Sequence, residues 1–216
     1  MHGVFLTNIA NKIASFVNML TDTHTHLYSE AFDLDRDTVI QRAKDQGVSK
    51  FFIPAIDSGY AKAMYDLEAL HPDCMHLMMG VHPRSGREGW KEELAFVEKA
   101  LETRSFVAIG EIGIDLYWDT STLDIQREAF VFQIRLAKKY KLPIVIHCRD
   151  AFDAVFEVLE QEKSDDLFGI FHCFTGSLAQ ANKAIGYNMK LGIGGVVTFK
   201  NGKIDQFLNQ IDIKHI

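Results

Sequence analysis

Asp22, His24 and His26 take alternate positions in "LTDTHTHLYSE", residues 20–30. Side chains two apart on a strand share a face. The spacing therefore predicts a carboxylate and two imidazoles presented together, with Thr23 and Thr25 opposite. A polar strand edge with two unrelated histidines is the plain alternative, since a lone histidine serves as a satisfied polar group as often as a ligand. Further along, His82 follows "MMGV", Glu111 stands in "VAIGEIGID", His147 and Arg149 in "PIVIHCRD", and His172 in "GIFHCF". Each sits near the end of an apolar run. Imidazoles with a carboxylate make the ligand set of Zn2+, Mn2+ and related divalent ions. A single "HC" pair says little; the recurrence over successive runs points to metal chemistry.

Glu111 lies between Gly110 and Gly113, which allow a backbone or bulky ligand to come close. Its two oxygens can bridge two ions, which a neutral imidazole cannot readily do. A surface acid or helix cap is the alternative, weakened by the apolar run before it. Asp115 either orients a ligand or caps the next turn. Strand alternation places His147 with Val145 and Arg149, and Cys148 opposite; His172 and Cys173 separate in the same way. The three cysteines, Cys74, Cys148 and Cys173, thus read as small buried hydrophobes rather than ligands. His71 and His76 read as structural or surface residues, and His2 and His215 carry no argument.

The elements that must position these residues alternate in type. Strand-like runs occur at "NMLTDTHTH", "SKFFIPAI", "CMHLMMGVHP", "SFVAIGEIG", "LPIVIHC", "LFGIFHCF" and "MKLGIGGVV". Helical patterns lie between most of them: "DRDTVIQRAKDQG" with Gly47 as a C′ residue, "YAKAMYDLEALHP" stopping at Pro72, and "TLDIQREAFVFQIRLAKKYKLP" ending before Pro143. Continuously apolar strands alternating with helices predict an α/β fold with a covered parallel sheet. An open doubly wound sheet and a TIM-type (β/α)8 barrel share this rhythm. The barrel is favoured because chemistry-bearing residues end nearly every strand, where barrel sites lie. "GIGG" at 192–195 lacks the flanking pattern of a nucleotide-binding loop.

A chain of 216 residues fits one domain with a substantial core. Its net charge of −6 argues against a broad basic face for duplex DNA or an anionic membrane, though bound metal can supply local positive charge. No apolar run reaches the about 18 residues of a membrane span. An odd cysteine count without scaffold spacing indicates reduced thiols and a cytoplasmic location. Residues 1–18 read as an upstream extension without assigned function, and residues 19–216 as the barrel.

"TDTHTHL", "GVHP", "GEIGID" with "YWD", "LPIVIHCRDA", "FHCFTGS" and "LGIGGVVTF", in that order, resemble the signature segments of the TatD family of metal-dependent hydrolases. The resemblance implies a TIM-barrel metallohydrolase with two divalent ions (Mg, Mn or Zn) that cleaves phosphodiesters as a 3′-5′ exonuclease-like deoxyribonuclease on single-stranded DNA. No membrane association and no obligatory protein partner is implied. Carried over by position, His24 and His26 would bind the first metal and Glu111, the catalytic carboxylate, would bridge to the second. His147 and His172 would complete the second site, His82 and Arg149 would meet the substrate phosphate, and Asp22 and Asp115 would support the ligands from behind. A guanidinium can hold two phosphate oxygens at once, and a bound ion lowers the pKa of water from about 15.7 to about 7. "FTGS" would add backbone donors or simply turn into a helix. The family pattern also has an eighth strand with an Asp that completes the first metal site; the chain ends at "QIDIKHI", and the expectation is a barrel that stops before that strand. Two alternatives follow: a barrel metallohydrolase acting on an ester, amide or aminoacyl bond such as that of D-aminoacyl-tRNA, or a non-catalytic metal-binding product.

Overall fold

The computed structural model describes residues 20–85, 89–200 and 202–216; the extension expected at residues 1–18 lies outside the described residues. Those described form two compact units, one of residues 20–53 with 62–76, the other of 54–61 with 77–216.

In the first unit, β1 (Leu20–Asp22), β2 (Val48–Ile53) and β3 (Met75–Leu77, its last residue in the second unit) make a three-stranded sheet in sequence order. β1 runs parallel to β2. α1 (Arg36–Asp45) ends as expected, with Gly47 in the left-handed region at φ 92°, a conformation that costs glycine little. α2 (Ala61–Leu70, its first residue in the second unit) stops two residues before Pro72.

The second unit carries four parallel strands in the order β4 (Ile109–Asp115), β5 (Ile144–Arg149), β6 (Gly169–Phe171), β7 (Met189–Leu191). Helices precede or separate them: α3 (Trp90–Thr103), α4 (Leu123–Tyr140), α5 (Phe152–Gln161) and α6 (Leu178–Gly186). All seven residues of β4 are buried, as a strand covered on both faces requires. Upstream, Met79 bridges to Ile109, and the Ala55 N–H donates to the Gly110 carbonyl at 3.0 Å. α4 closes with Lys141 at φ 55°, two residues before Pro143. Phe152, Phe156, Phe171 and Phe174 pack ring against ring at 5.3–6.1 Å between centroids, and a buried aromatic contributes about 1.5–3 kcal/mol.

Gly113 has a stringent reason to be glycine. Its φ is 137°, and a Cβ there would stand 2.1 Å from the His147 carbonyl oxygen. That close approach lets β4 and β5 deliver Glu111 and His147 side by side. No helix among the described residues is long and apolar enough to cross a membrane.

Candidate metal centre

In the first unit the local structure differs from the strand predicted through His26. β1 stops at Asp22, and His24 and His26 lie in the segment that follows. The cause is local: the Asp22 carboxylate accepts the His24 backbone N–H at 3.2 Å, which turns the chain out of the ladder. The Thr25 N–H still reaches the Phe52 carbonyl at 3.1 Å. The imidazoles nonetheless meet, edge to face with centroids 5.2 Å apart. His26 Nδ1 lies 2.8 Å from the Tyr28 hydroxyl. Arg36, which carries no sequence signal of its own, pins this segment by donating to the carbonyls of Leu27 at 2.6 Å and Ser29 at 3.0 Å.

The second unit gathers most of the remaining residues around one oxygen. Glu111 is 2 % exposed, and its Oε1 lies 2.7 Å from His147 Nδ1, 2.8 Å from His172 Nε2 and 3.6 Å from His82 Nε2. His147 comes from β5, and His172 stands one residue beyond β6, held by its N–H to the Ile146 carbonyl at 3.0 Å. The residue after it, Cys173, turns to φ 44°, so the alternation expected of a longer strand ends at Phe171. His82 is set by its own N–H donating to the Ile56 carbonyl at 2.8 Å.

The rings have different neighbours. His147 Nε2 meets Asp115 Oδ2 at 2.9 Å while Nδ1 meets Glu111. Burial works to lower the His147 pKa, but the hydrogen bonds and negative charges of Glu111 and Asp115 outweigh it and raise the pKa above its ordinary value. A ring between two carboxylates needs a cation on its Glu111 side, either a proton or a metal. With Nε2 donating to Asp115, Nδ1 can offer its lone pair to an ion, the arrangement in which a carboxylate behind a ligating histidine orients it. His82 differs. Its Nδ1 accepts the Arg84 N–H at 3.1 Å, so in the neutral ring the proton sits on Nε2. That nitrogen then faces the centre as a donor suited to an anion.

These residues fit a divalent ion. Ligand atoms about 2 Å from Zn2+ sit within about 4 Å of one another; the Glu111, His82 and His147 donors gather within 4.8 Å, and His172 Nε2 stands 2.8 Å from the same Glu111 oxygen. Charge balance agrees, since a buried carboxylate ringed by imidazoles is cheapest when a cation joins it. The cysteines are poor ligands here. Burial pushes the Cys148 thiol up to about 12, the charges of Asp150 and Asp115 adding to it and the Ala151 backbone bond opposing it. Burial and then Glu111 raise Cys173 as well. Both nevertheless border the cavity rather than being sealed among the helices.

That cavity, of about 420 Å3, is lined by Tyr117, His147, Arg149 and His172 among others. A larger groove of about 710 Å3 between α3, α4 and α5 holds Arg127, Arg135 and Glu157 but none of the residues above; the chemistry lies in the smaller one. Within the first unit, His71 Nε2 faces Asp37 at 3.7 Å, and the His76 ring packs on Phe52. "FTGS" turns into a helix, Ser177 capping α6 in a reciprocal pair with Gln180.

Gln126 and Gln133 complete the site and were not read from the sequence. Both are buried on α4. Gln126 accepts the Asp115 N–H at 2.7 Å and donates to the Asp115 carbonyl at 3.0 Å. Gln133 accepts the Val81 N–H at 2.7 Å, next to His82. Two amides seven residues apart on one apolar helix stripe were the available signal.

A metal-dependent hydrolase of Bacillus subtilis (strain 168), YabD, is 41% identical over 186 residues, covering 86% of this chain and 72% of the relative. The crystal structure of YjjV, the TatD homolog of Escherichia coli K12, superposes with a TM-score of 0.84 at 29% identity, over 91% of this chain and 76% of that one. Fold and site thus define a metal-dependent hydrolase with the TIM-type α/β fold. The profile described as "TatD related DNase" matches residues 21–216, and the chain belongs to the TatD family. The 3′-5′ ssDNA/RNA exonuclease TatD of Erwinia tasmaniensis is 32% identical over 174 residues, 81% of this chain and 67% of its own length.

Proposed function

We propose that this protein is a divalent-metal-dependent phosphodiesterase that removes nucleotides from single-stranded DNA in the cytoplasm. The observation that carries the reading is the convergence of His147 and His172 on the buried Glu111 oxygen, with a His82 N–H and an Arg149 guanidinium at the same site. The exonuclease name of one relative supports the substrate class. We assign Glu111, His147 and His172 as ligands of one ion, and His24 with His26 as a ligand pair for another. Asp22 holds the His24 backbone and Asp115 holds the His147 ring.

A divalent ion bound there would activate water and polarise a phosphoryl oxygen. The chain's own residues supply the rest. His82 donates its Nε2 proton toward a phosphate oxygen. Arg149, which pairs with no carboxylate among the described residues, presents its guanidinium N–H groups to the same phosphate. Asp115 keeps His147 from rotating.

Incubating metal-loaded protein with single-stranded DNA should release mononucleotides. Excess chelator and Glu111→Ala should each abolish release, with metal content measured by elemental analysis. Full turnover in chelator, or in Glu111→Ala, would sink the reading. Turnover of an aminoacyl ester in place of DNA would move it to another substrate class.

A further inference from the structure

Tyr117 and Trp118, just past β4, expose large aromatic surface, 50% and 63% respectively. Their rings meet edge to face with centroids 4.7 Å apart. Two guanidinium groups border them: the Arg149 Cζ is 3.7 Å from the Tyr117 centroid and 5.8 Å from Trp118, and the Arg84 Cζ is 5.6 Å from Trp118. At 3.7 Å the Arg149 guanidinium stacks on Tyr117, which orders its long side chain while its N–H edge stays usable.

This cluster is tied to the candidate metal centre by a single carboxylate. Asp115 Oδ1 accepts the Tyr117 backbone N–H at 3.1 Å, and Oδ2 meets His147 Nε2 at 2.9 Å. The Leu116 N–H donates to the Arg149 carbonyl at 2.9 Å and locks the two strand ends. Tyr117, Arg149 and His147 also line the same cavity. An indole left open to water beside two cations, at the rim of a phosphate-binding site, has the composition of a single-strand stacking platform.

We propose that Trp118 stacks an unpaired nucleobase of the substrate while Arg149, held on Tyr117, takes the neighbouring phosphate. The proposal rests on the phosphodiesterase reading above and specifies how that site selects its substrate. Every base has a π-face, so such a platform is indifferent to base identity. It requires that the base be out of the duplex, and it fails when the base is missing.

The test compares oligothymidylate with the same oligonucleotide carrying an abasic residue at the end that is cut. Stacking on one aromatic predicts a kcat/KM ratio of about five- to a hundredfold in favour of the base-bearing strand. The ratio should fall to near one in Trp118→Ala and recover in Trp118→Phe. Binding gives a second readout: the chain has two tryptophans, so in Trp90→Phe only Trp118 emits. A phosphorothioate oligothymidylate should quench that emission, and its abasic counterpart should not. Equal cleavage of both strands by the metal-loaded protein, or equal quenching, would overturn the platform and leave the nuclease reading intact. Cleavage of neither strand would overturn the nuclease reading and the platform together.

Discussion

At the residue scale, Asp115 does two tasks with two oxygens, one toward the His147 ring and one toward the Tyr117 backbone. Its own N–H and carbonyl are taken by Gln126, so the carboxylate has little freedom to turn. Asp115→Asn keeps the shape but replaces the acceptor charge behind His147. Loss of such a partner typically costs about 10- to 100-fold in metal affinity or activity, and the variant should show that drop in a titration against a chromophoric chelator. Unchanged affinity would mean that Asp115 only shapes the turn. The sequence left both roles open, because nothing in "GEIGID" says which groups its oxygens will reach. Glu111 was easier to read, although β4 runs on past it to Asp115: an acid closing an apolar run between glycines has few reasons to be there except to face a cation.

At the element scale, α4 acts as a strut. Gln126 holds the end of β4 and Gln133 holds Val81, next to His82. Gln133→Leu conserves volume but strips a buried N–H of its acceptor, at about 1–3 kcal/mol. Denaturant unfolding should show that loss, accompanied by weaker substrate binding if His82 contacts the phosphate. The α/β rhythm and the ends of α1 and α4 were legible because glycine, proline and apolar period act locally. Strand ends were not: β1 closes at Asp22 because a side-chain oxygen captures the His24 N–H, and β6 closes at Phe171 before Cys173 turns to positive φ. Both events depend on side-chain rotamers and neighbours that periodicity does not encode. Tyr117 and Trp118 carry no legible role in the sequence, since their meaning comes from Arg149 on another strand.

At the scale of the whole molecule, a net charge of −6 sets how the nucleic acid substrate proposed above would be held. A chain this acidic repels a polyanion except where local cations intervene, and Arg149 and Arg84 are those beside the aromatic pair. With about two phosphate contacts, a single strand should bind with a log–log salt slope of about −1.4. Fluorescence titrations from 50 to 300 mM salt would check it, and a slope steeper than about −4 would indicate a broad cationic track instead. The shared carboxylate of Asp115 has a practical corollary for anyone who would re-engineer this enzyme. The loop after β4 is the obvious place to graft a new specificity, yet its second amide, that of Tyr117, is moored to the carboxylate that also holds the His147 ring. A transplanted loop that begins at Tyr117 inherits the mooring, whereas one that begins before Asp115 exchanges cargo and engine together.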